Sequence, residues 1–322
     1  MLVLGACLPA CGGQETPASS NPAGPKPRRH VAVPAFNGDS ALAYAARQVS
    51  FGPRVPGTPS HRACGDWLVQ TLKRHGAQVT EQTTEVTDWQ GDLLPVRNII
   101  ASYHPEKEVR VMLSAHWDSR PVADHDSTGQ DDPIDGANDG ASGVAVLLEM
   151  ARHLAQDTSL AVGVDLFLWD AEDGGQEAND ESWCLGSQYW AKNPHIPGYK
   201  ARYGILLDMV GAEDAVFPQE GTSRQYAPHI QDKVWRTAHE LGHGRLFPFV
   251  NYGGITDDHT FINRLTPIPT IDIVHLEVTG QGGFFPHWHT HGDTMDKLSA
   301  ETLQAVGEVV LTVIYREPAQ PS

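Results

Sequence analysis

The sequence contains few cysteines and a small share of basic side chains, and both shortages narrow its possible functions. Four of the 322 residues are Cys, and Cys64 and Cys184 have neither the spacing of a zinc finger nor that of a redox pair. Whether these two form a disulfide is left open by the sequence. Lys and Arg number 23 against 40 Asp and Glu, which gives a formal net charge of −17. Such a surface repels nucleic acid and anionic lipid and attracts the cationic amino terminus of a peptide.

Long hydrophobic runs are also lacking, and after the amino-terminal segment no stretch is long and apolar enough to span a membrane. Residues 1–9 are small and apolar, and Cys7 and Cys11 each follow an Ala. This pattern resembles the lipobox of bacterial lipoproteins, whose Cys is acylated. Cys11 is the better candidate, because a tether rich in Pro, Ser and Ala follows it. We therefore expect an exported, periplasmic or cell-envelope lipoprotein that touches the membrane only through a lipid on Cys11.

After this signal and tether, residues 1–30, we expect a single α/β catalytic domain over residues 31–317. Short apolar segments rich in β-branched residues alternate with helical patterns, as is typical of a sheet covered on both faces. The apolar segments are residues 109–115, 162–169, 203–207 and 268–274, and the helical patterns are residues 142–156, 185–192, 227–241 and 299–315. Two helices, residues 39–48 and 60–74, and two further strands, residues 77–87 and 96–103, are predicted before them. The pattern predicts a three-layer α/β/α sandwich with a mixed, centrally parallel sheet.

Polar side chains with metal-binding chemistry follow the predicted strands. The first strand ends in His116, the second runs into Asp170-Ala171-Glu172-Asp173, and the third ends in Asp208. A Gly-rich turn that carries Asp139 opens the helix between the first two strands. In open α/β sheets the ligand site lies outside the carboxyl ends of the strands, so these side chains are expected to share one crevice. His and carboxylates are zinc ligands, and an acidic residue beside a ligand can transfer protons.

Three more imidazoles occur late in the chain, at His287, His289 and His291. In an extended segment all three would point to the same side, so residue type alone does not select the ligand among them.

The chain resembles the di-zinc aminopeptidase family over about residues 40–316, and within it the bacterial glutaminyl cyclases of the animal type. The motifs that carry the family resemblance are His116-x-Asp118, Gly136-Ala137-Asn138-Asp139, Asp170-Ala171-Glu172-Asp173, Leu207-Asp208 and Trp288-His289-Thr290. The motifs that are similar to the cyclases are Trp183-Cys184-Leu185-Gly186-Ser187, Leu207-Asp208-Met209-Val210-Gly211-Ala212 and Thr256-Asp257-Asp258-His259. The resemblance implies a zinc exopeptidase-like fold.

The same resemblance implies roles for individual residues. Asp139, Asp173 and His289 would bind one zinc ion, although animal cyclases have Glu at the position of Asp173. Glu172 would be the general acid and base. Asp208 and Asp257 would form a hydrogen-bonded carboxylate pair beside it. The glutamine pocket would be walled by Trp288, by Phe285 or its neighbour Phe284, and by Trp183.

The implied reaction is the cyclisation of an amino-terminal glutamine to pyroglutamate, with release of ammonia from a peptide or protein substrate. The alternative is a di-zinc aminopeptidase, in which His116 and Asp208 complete a second zinc site. Both of these residues are present, so the set of ligands does not exclude a peptidase. Asp257 favours the cyclase, because peptidases of this group usually have a small residue there.

Two remote alternatives remain. His239-Glu240-Leu241-Gly242-His243 matches the H-E-x-x-H signature of zinc metalloproteases. Glycines break the predicted helix at this point and no third ligand follows, so the match is weak. A non-catalytic binding module with the same fold would lack the base or a ligand, whereas Glu172, Asp139 and His289 are all present.

Overall fold

The computed structural model describes residues 1–3, 5, 32–280 and 283–319. Cys7 and Cys11, and with them the lipobox-like pattern, lie outside the described residues. The chain divides into two compact units, Met1–Val31 and Ala32–Ser322, and the fold described below is that of the second unit. Within the described part of the chain, no helix has the length and hydrophobicity needed to cross a membrane.

One six-stranded mixed sheet forms the centre of the domain. Its strands are β1 (Gln78–Thr87), β2 (Leu93–Tyr103), β3 (Arg110–His116), β4 (Gly163–Trp169), β5 (Gly204–Asp208) and β6 (Thr270–Val274). They lie side by side in the order β1-β2-β4-β3-β5-β6. The pairs β3–β4, β3–β5 and β5–β6 are parallel, whereas β1–β2 and β2–β4 are antiparallel. The predicted mixed, centrally parallel sheet is therefore confirmed, and β4 and β5 are buried along their whole length because both of their faces are covered.

Helices pack in two groups against this sheet. They are α1 (Gly38–Val49), α2 (Pro59–Arg74), α3 (Ala141–Leu154), α4 (Leu185–Lys192), α5 (Gly221–Tyr226), α6 (Pro228–Glu240), α7 (Asp258–Leu265) and α8 (Ala300–Tyr315). In one group α3 packs on β3 and β5 and contacts α1 and α8. In the other, α4 packs on β2 and α7 on β6, and these two helices contact each other.

The order of the central strands places the candidate site. The connection from β3 through α3 to β4 runs in one direction along the sheet, and the connection from β4 through α4 to β5 runs back past β3. Right-handed crossovers in opposite directions put α3 and α4 on opposite faces. The carboxyl ends of β3, β4 and β5 therefore border a topological switch point, where ligand sites of open α/β sheets lie.

Two helices were not predicted from the sequence, α5 and α7. Both are short, and α7 begins with Asp258 and His259, which are polar residues yet completely buried. Their burial depends on contacts with distant strands, which hydrophobic periodicity along the chain does not report.

A buried arginine joins the loop before α2 to the turn that carries Asp139. The guanidinium of Arg54 donates to the carbonyl oxygens of Trp117, Asp135 and Gly136 at 3.1, 2.7 and 2.7 Å. Its side chain is inaccessible to solvent, so these carbonyls have no water to replace the lost donors in a variant.

Arg54→Leu is expected to lower the free energy of unfolding by about 3 kcal/mol, because buried carbonyl groups are left without donors. Urea denaturation of the two proteins measures this difference. Arg264→Leu is the matched control, since Arg264 forms a 2.8 Å ion pair with Glu181 and its side chain is 44% exposed. Its expected effect is at most about 1 kcal/mol. Equal effects of the two substitutions would contradict the role given to Arg54.

Candidate active site

A cavity of about 530 Å³ opens at the carboxyl ends of the central strands. Side chains from five separate parts of the chain line it. They include Asp139 from the Gly-rich turn, Glu172 and Asp173 after β4, Trp183, Asp208 at the end of β5, Asp257 before α7, and Phe284, Trp288 and His289. The structure thus brings the strand-end residues into one crevice, as the sequence pattern predicts.

Asp139, Asp173 and His289 form the first cluster of metal-ligand atoms. His289 Nε2 lies 3.0 Å from Asp173 Oδ1 and 3.8 Å from Asp139 Oδ2. The three residues are buried, and Asp139 Oδ2 and Asp173 Oδ2 have no hydrogen-bond partner. Buried carboxylate oxygens without a donor are costly unless a cation neutralises them. Two carboxylates and one imidazole around an open cavity fit the ligand set of a catalytic zinc.

His116, Asp139 and Asp208 form a second cluster that shares Asp139 with the first. His116 Nε2 lies 3.0 Å from Asp139 Oδ1 and 3.2 Å from Asp208 Oδ1. Asp139 therefore turns one oxygen towards His116 and the other towards His289. This arrangement accommodates either a hydrogen-bonded His116 or a second metal ion.

Two further buried carboxylates hold the first cluster in place. Asp118 accepts hydrogen bonds from the backbone N–H groups of Glu172 and Asp173, both at 3.2 Å. Asp293 accepts from the N–H groups of Asn138 and Asp139 at 2.8 and 3.0 Å. Burial, together with the charge of Asp139, raises the pKa of Asp293 to about 7. Asp293 was missed in the sequence, because a lone Asp more than 150 residues away from its partners carries no local signal.

Glu172 projects into the cavity beside the first cluster. Burial raises the pKa of its carboxyl group well above the ordinary value, the charges of Asp173 and Asp257 raise it further, and His116 opposes them. The thiol of Cys184 donates to Glu172 Oε1 at 3.2 Å, and the N–H of Cys184 donates to the carbonyl of Glu172 at 2.9 Å. The carboxyl group of Glu172 is thus positioned by a neighbour and is suited to take up a proton near neutral pH.

Asp257 lies within 4.8 Å of Glu172 and Cys184 and caps α7 by accepting from the N–H of Asp258 at 2.5 Å. Burial and the charge of Asp208 raise the pKa of Asp257 to about 7. The implied hydrogen bond between Asp208 and Asp257 is not present among the described residues. Asp208 faces His116 instead, at 3.2 Å, because an imidazole is a better partner for a carboxylate than a second carboxylate. The ligand atoms of Asp257 lie within 4.8 Å of those of Asp272 and His259.

Aromatic side chains wall the cavity next to the first cluster. The ring of Trp288 stacks on that of His289 with centroids 3.6 Å apart, and Trp183 stacks on the same imidazole at 5.8 Å. Phe284 contacts Trp288 at 4.5 Å and lines the cavity. Of the two predicted alternatives, Phe284 lines the cavity and Phe285 does not. Phe285 is only 5% exposed and packs between His275 and His287, because neighbouring residues of this segment face opposite ways.

Left-handed backbone conformations concentrate around the same side chains. Four residues with positive φ lie there: Ala171 before Glu172, Cys184 in contact with Glu172, Met209 after Asp208, and His289 in the first cluster. Their φ angles are +53°, +57°, +49° and +55°. Each such residue costs about 1–3 kcal/mol and persists where the surroundings over-determine it, as happens at functional sites.

The three late histidines do not share one side. His289 points into the cavity and is 1% exposed, whereas His291 is exposed and lies 3.0 Å from Asp126. The segment is a turn and not an extended strand, so successive odd-numbered side chains diverge. Asp124 Oδ1 lies 3.5 Å from His289 Nδ1, and the same carboxylate accepts two hydrogen bonds from Arg120. A carboxylate behind a ligand imidazole orients the ring.

The H-E-x-x-H match does not form a metal site in this structure. The helix that carries it ends at Glu240, and the three polar side chains point to different partners. His239 Nε2 lies 2.9 Å from the Phe247 carbonyl oxygen, Glu240 pairs with Arg316, and His243 Nε2 lies 2.8 Å from Glu308 Oε2. Among the described residues, no cluster of metal-ligand atoms includes any of the three.

His243→Ala is accordingly expected to leave zinc content and turnover unchanged. Losing its partly exposed ion pair with Glu308 lowers stability by at most about 1 kcal/mol. Atomic absorption of the purified variant measures the metal, and His289→Ala, which alters the first cluster, is the positive control for zinc loss. A His243→Ala protein that has lost its zinc would restore the metalloprotease hypothesis.

A protein family and several solved structures match this chain. The model of Peptidase family M28 matches residues 98–314. The chain belongs to this family. A glutaminyl cyclase from Porphyromonas gingivalis is 51% identical to this M28 chain, covers 88% of it over 98% of its own length, and superposes with a TM-score of 0.85. The resemblance to bacterial glutaminyl cyclases predicted from the motifs is thereby confirmed.

Two further solved structures that are similar to this chain are peptidases. A Zn-dependent exopeptidase from Parabacteroides distasonis is 49% identical over 88% of this chain and 99% of its own, with a TM-score of 0.86. A leucine aminopeptidase precursor from Bacteroides thetaiotaomicron is 50% identical over 89% of this chain and 99% of its own, with a TM-score of 0.85. The family and the exopeptidase support zinc as the metal of the M28 chain.

Cys64 and Cys184, whose pairing the sequence left open, are buried free thiols.

Proposed function

We propose that this protein catalyses the zinc-dependent cyclisation of an amino-terminal glutamine to pyroglutamate, with release of ammonia from peptides or proteins. The observation that carries the proposal is the 51% identity to a glutaminyl cyclase over 98% of that chain. An elevated-pKa carboxyl group beside a buried ligand cluster in an aromatic cavity supplies the chemistry that this reaction needs.

Asp139, Asp173 and His289 would hold one zinc ion, because their buried carboxylates supply two negative charges to a dication and their ligand atoms lie within 4.8 Å of one another. When bound, zinc polarises a carbonyl oxygen as a Lewis acid. His116 would remain hydrogen-bonded between Asp139 and Asp208 and orient the shared ligand. The net charge of the two carboxylates and the ion is zero, which suits a neutral glutamine side chain.

Glu172 would act as the proton carrier of the reaction. Its carboxylate removes a proton from the α-amine while the amine nitrogen forms a bond to the carbon of the γ-amide. The bond between that carbon and the amide nitrogen then breaks, and Glu172 returns the proton so that ammonia leaves. A carboxyl group with a raised pKa can perform both steps near neutral pH. The reaction needs no water nucleophile.

The aromatic wall would hold the glutamine side chain and exclude water from it. Trp288, Trp183 and Phe284 lie on the cavity surface beside the first cluster. Keeping the amine and the amide at attack distance contributes about 7–11 kcal/mol at most to lowering the barrier. A cavity with these rings favours an intramolecular attack over hydrolysis, because water has little access to the amide carbon.

The second candidate is a metallo-aminopeptidase, which one observation favours. His116, Asp139 and Asp208 place three ligand atoms within 4.8 Å, which is compatible with a second zinc next to the first. The leucine aminopeptidase precursor that is 50% identical to this chain also supports this candidate. In that case His116 and Asp208 would hold a second ion together with the shared Asp139, and the two ions would supply the activation of a water for hydrolysis of the peptide bond.

Turnover of a Gln-initiated and a Leu-initiated dipeptide fluorophore, with zinc per chain measured on the same sample, separates the two candidates. Ammonia release from the Gln substrate with about one zinc supports the cyclase, whose ligand set has three protein residues. Free leucine with about two zincs supports the peptidase, in which paired ions share a bridging ligand.

For the cellular location we propose export followed by lipidation of Cys11. The support is the apolar segment that ends in Ala10-Cys11 and the Pro- and Ser-rich tether after it. Cell fractionation of a host that expresses the wild type and Cys11→Ser tests the proposal. Membrane association of both proteins to the same extent would contradict it, and Cys7→Ser is the matched control.

A further inference from the structure

A second cavity of about 550 Å³ lies beside the first. Its walls come from the loop before α2, the turn between β1 and β2, the segment after β3 and the loop after β4. The side chains that matter for its chemistry are Val55, Pro56, Asp88, Trp89, Leu94 and Glu177. The first and second clusters and Glu172 lie outside its lining, whereas Asp124 and His125, whose ligand atoms lie within 4.8 Å of those of His289, belong to it.

A thin stretch of backbone, residues 174–177, separates the two cavities. On the side of the first cavity Trp183 lies against Gly175, where a Cβ atom would come within 2.1 Å of the indole ring. On the side of the second cavity Trp89 Nε1 donates to the carbonyl of Gly174 at 3.1 Å. Glu177 lines both cavities. Glu177 is the residue common to the two linings, so a molecule that extends from the first cavity past Glu177 reaches the second.

The second cavity combines apolar surface with an excess of carboxylates over cations, although one carboxylate, Glu177, lies 2.8 Å from His125 Nε2. Trp89 is 43% exposed, and the indole ring is available to a bound side chain. Asp88 and Glu177 add two carboxylates to the lining. The cation in the lining, Arg120, is already engaged by Asp124 at 2.8 and 2.5 Å and by the carbonyl of Asp173 at 2.9 Å. A long side chain with an apolar stem and a positive end fits this surface.

We infer that the second cavity binds the residues that follow the amino-terminal glutamine of a peptide substrate, and that it selects an arginine or lysine side chain there. This inference rests on the proposed function. With the terminal residue beside Glu172, an extended chain advances about 3.3 Å per residue and crosses the rim at Glu177, whose Oε1 lies 2.8 Å from His125 Nε2. Substrates of this class are peptides with a basic residue soon after the glutamine.

The test compares kcat/KM for the dipeptide amide Gln-Ala with that for two sets of tetrapeptide amides. Each set places either Arg or Glu at the second, third or fourth position, with Ala elsewhere. At the best position we expect the Arg peptide to exceed the Glu peptide about ten-fold, the effect of one good side-chain contact in a pocket. Added salt is expected to reduce this ratio, since the recognition is partly electrostatic.

Trp89→Ala is expected to abolish the ten-fold advantage of the Arg peptide and to leave the dipeptide unchanged, because the dipeptide does not reach the second cavity. Trp89→Phe, which keeps an aromatic face, is expected to retain most of the advantage. Phe249→Ala is the matched control, since Phe249 is 54% exposed, stacks on His239 and lines neither cavity.

Equal kcat/KM for the Arg and Glu peptides at every position, or equal losses on the dipeptide and the tetrapeptides in Trp89→Ala, would overturn the inference. Failure to release ammonia from any of the peptides contradicts the proposed function instead. In that event calorimetric binding of the same tetrapeptides to the wild type and to Trp89→Ala decides the inference separately. Loss of the Arg preference in the variant supports it, and unchanged affinities overturn it.

Discussion

Glu172→Gln protein is expected to fold, to bind zinc as the wild type does, and to turn over Gln substrates about 1,000-fold more slowly. The amide is nearly isosteric with the carboxylate but cannot carry the proton from the α-amine to ammonia, and general acid–base groups contribute about 100- to 10,000-fold to rates. Ammonia release, the midpoint of thermal unfolding and zinc per chain, all measured on one preparation, give the three readouts.

Glu181→Gln is the matched control for this variant. Glu181 lies nine residues further along the chain, its side chain is 61% exposed, and it pairs with Arg264 on the surface. We expect wild-type turnover from it, because an exposed ion pair contributes little. Retention of more than a few per cent of activity in Glu172→Gln would show that Glu172 is not the proton carrier. If the variant instead loses both activity and zinc, Glu172 belongs to the metal site.

Asp139→Ala is expected to reduce zinc from about one ion per chain to nearly none and to abolish turnover, since catalytic zinc depends on three protein ligands. Asp139 also belongs to both clusters, with one oxygen towards His116 and one towards His289. Its loss therefore disrupts either metal arrangement. Metal analysis after dialysis against a weak chelator provides the measurement.

His116→Ala distinguishes the two arrangements that Asp139→Ala cannot separate. In the proposed cyclase His116 only orients Asp139, so the variant is expected to keep its zinc and lose about 10- to 100-fold in activity. If the wild type binds two zinc ions and His116→Ala binds one, His116 and Asp208 hold a second metal ion. That outcome supports the aminopeptidase.

The residues at the strand ends were predictable because they obey a rule of topology. Glu172, Asp173 and Asp208 follow apolar strands, and parallel strands in one sheet bring their carboxyl ends to one edge. The residue types are those of a candidate metal site with an adjacent acidic residue that can transfer protons. This part of the site needed no knowledge of any distance.

Other parts of the site depend on contacts between distant segments. Asp293 holds the N–H groups of Asn138 and Asp139, and Cys184 holds Glu172 from a left-handed position before α4. Phe284 faces the cavity and Phe285 does not, because the backbone turns before His289. None of these contacts has a periodic signature along the chain.

The sequence by itself determined the alternation of strands and helices, the sheet with a parallel centre and the set of candidate metal-ligating side chains. Apolar periodicity and residue chemistry are local properties, and they are written directly in the order of the residues. Only the tertiary structure decided that Asp208 faces His116, that the H-E-x-x-H side chains diverge, and that a second acidic cavity adjoins the first. These outcomes are set by the path of the backbone and by the packing of segments that are far apart in the chain.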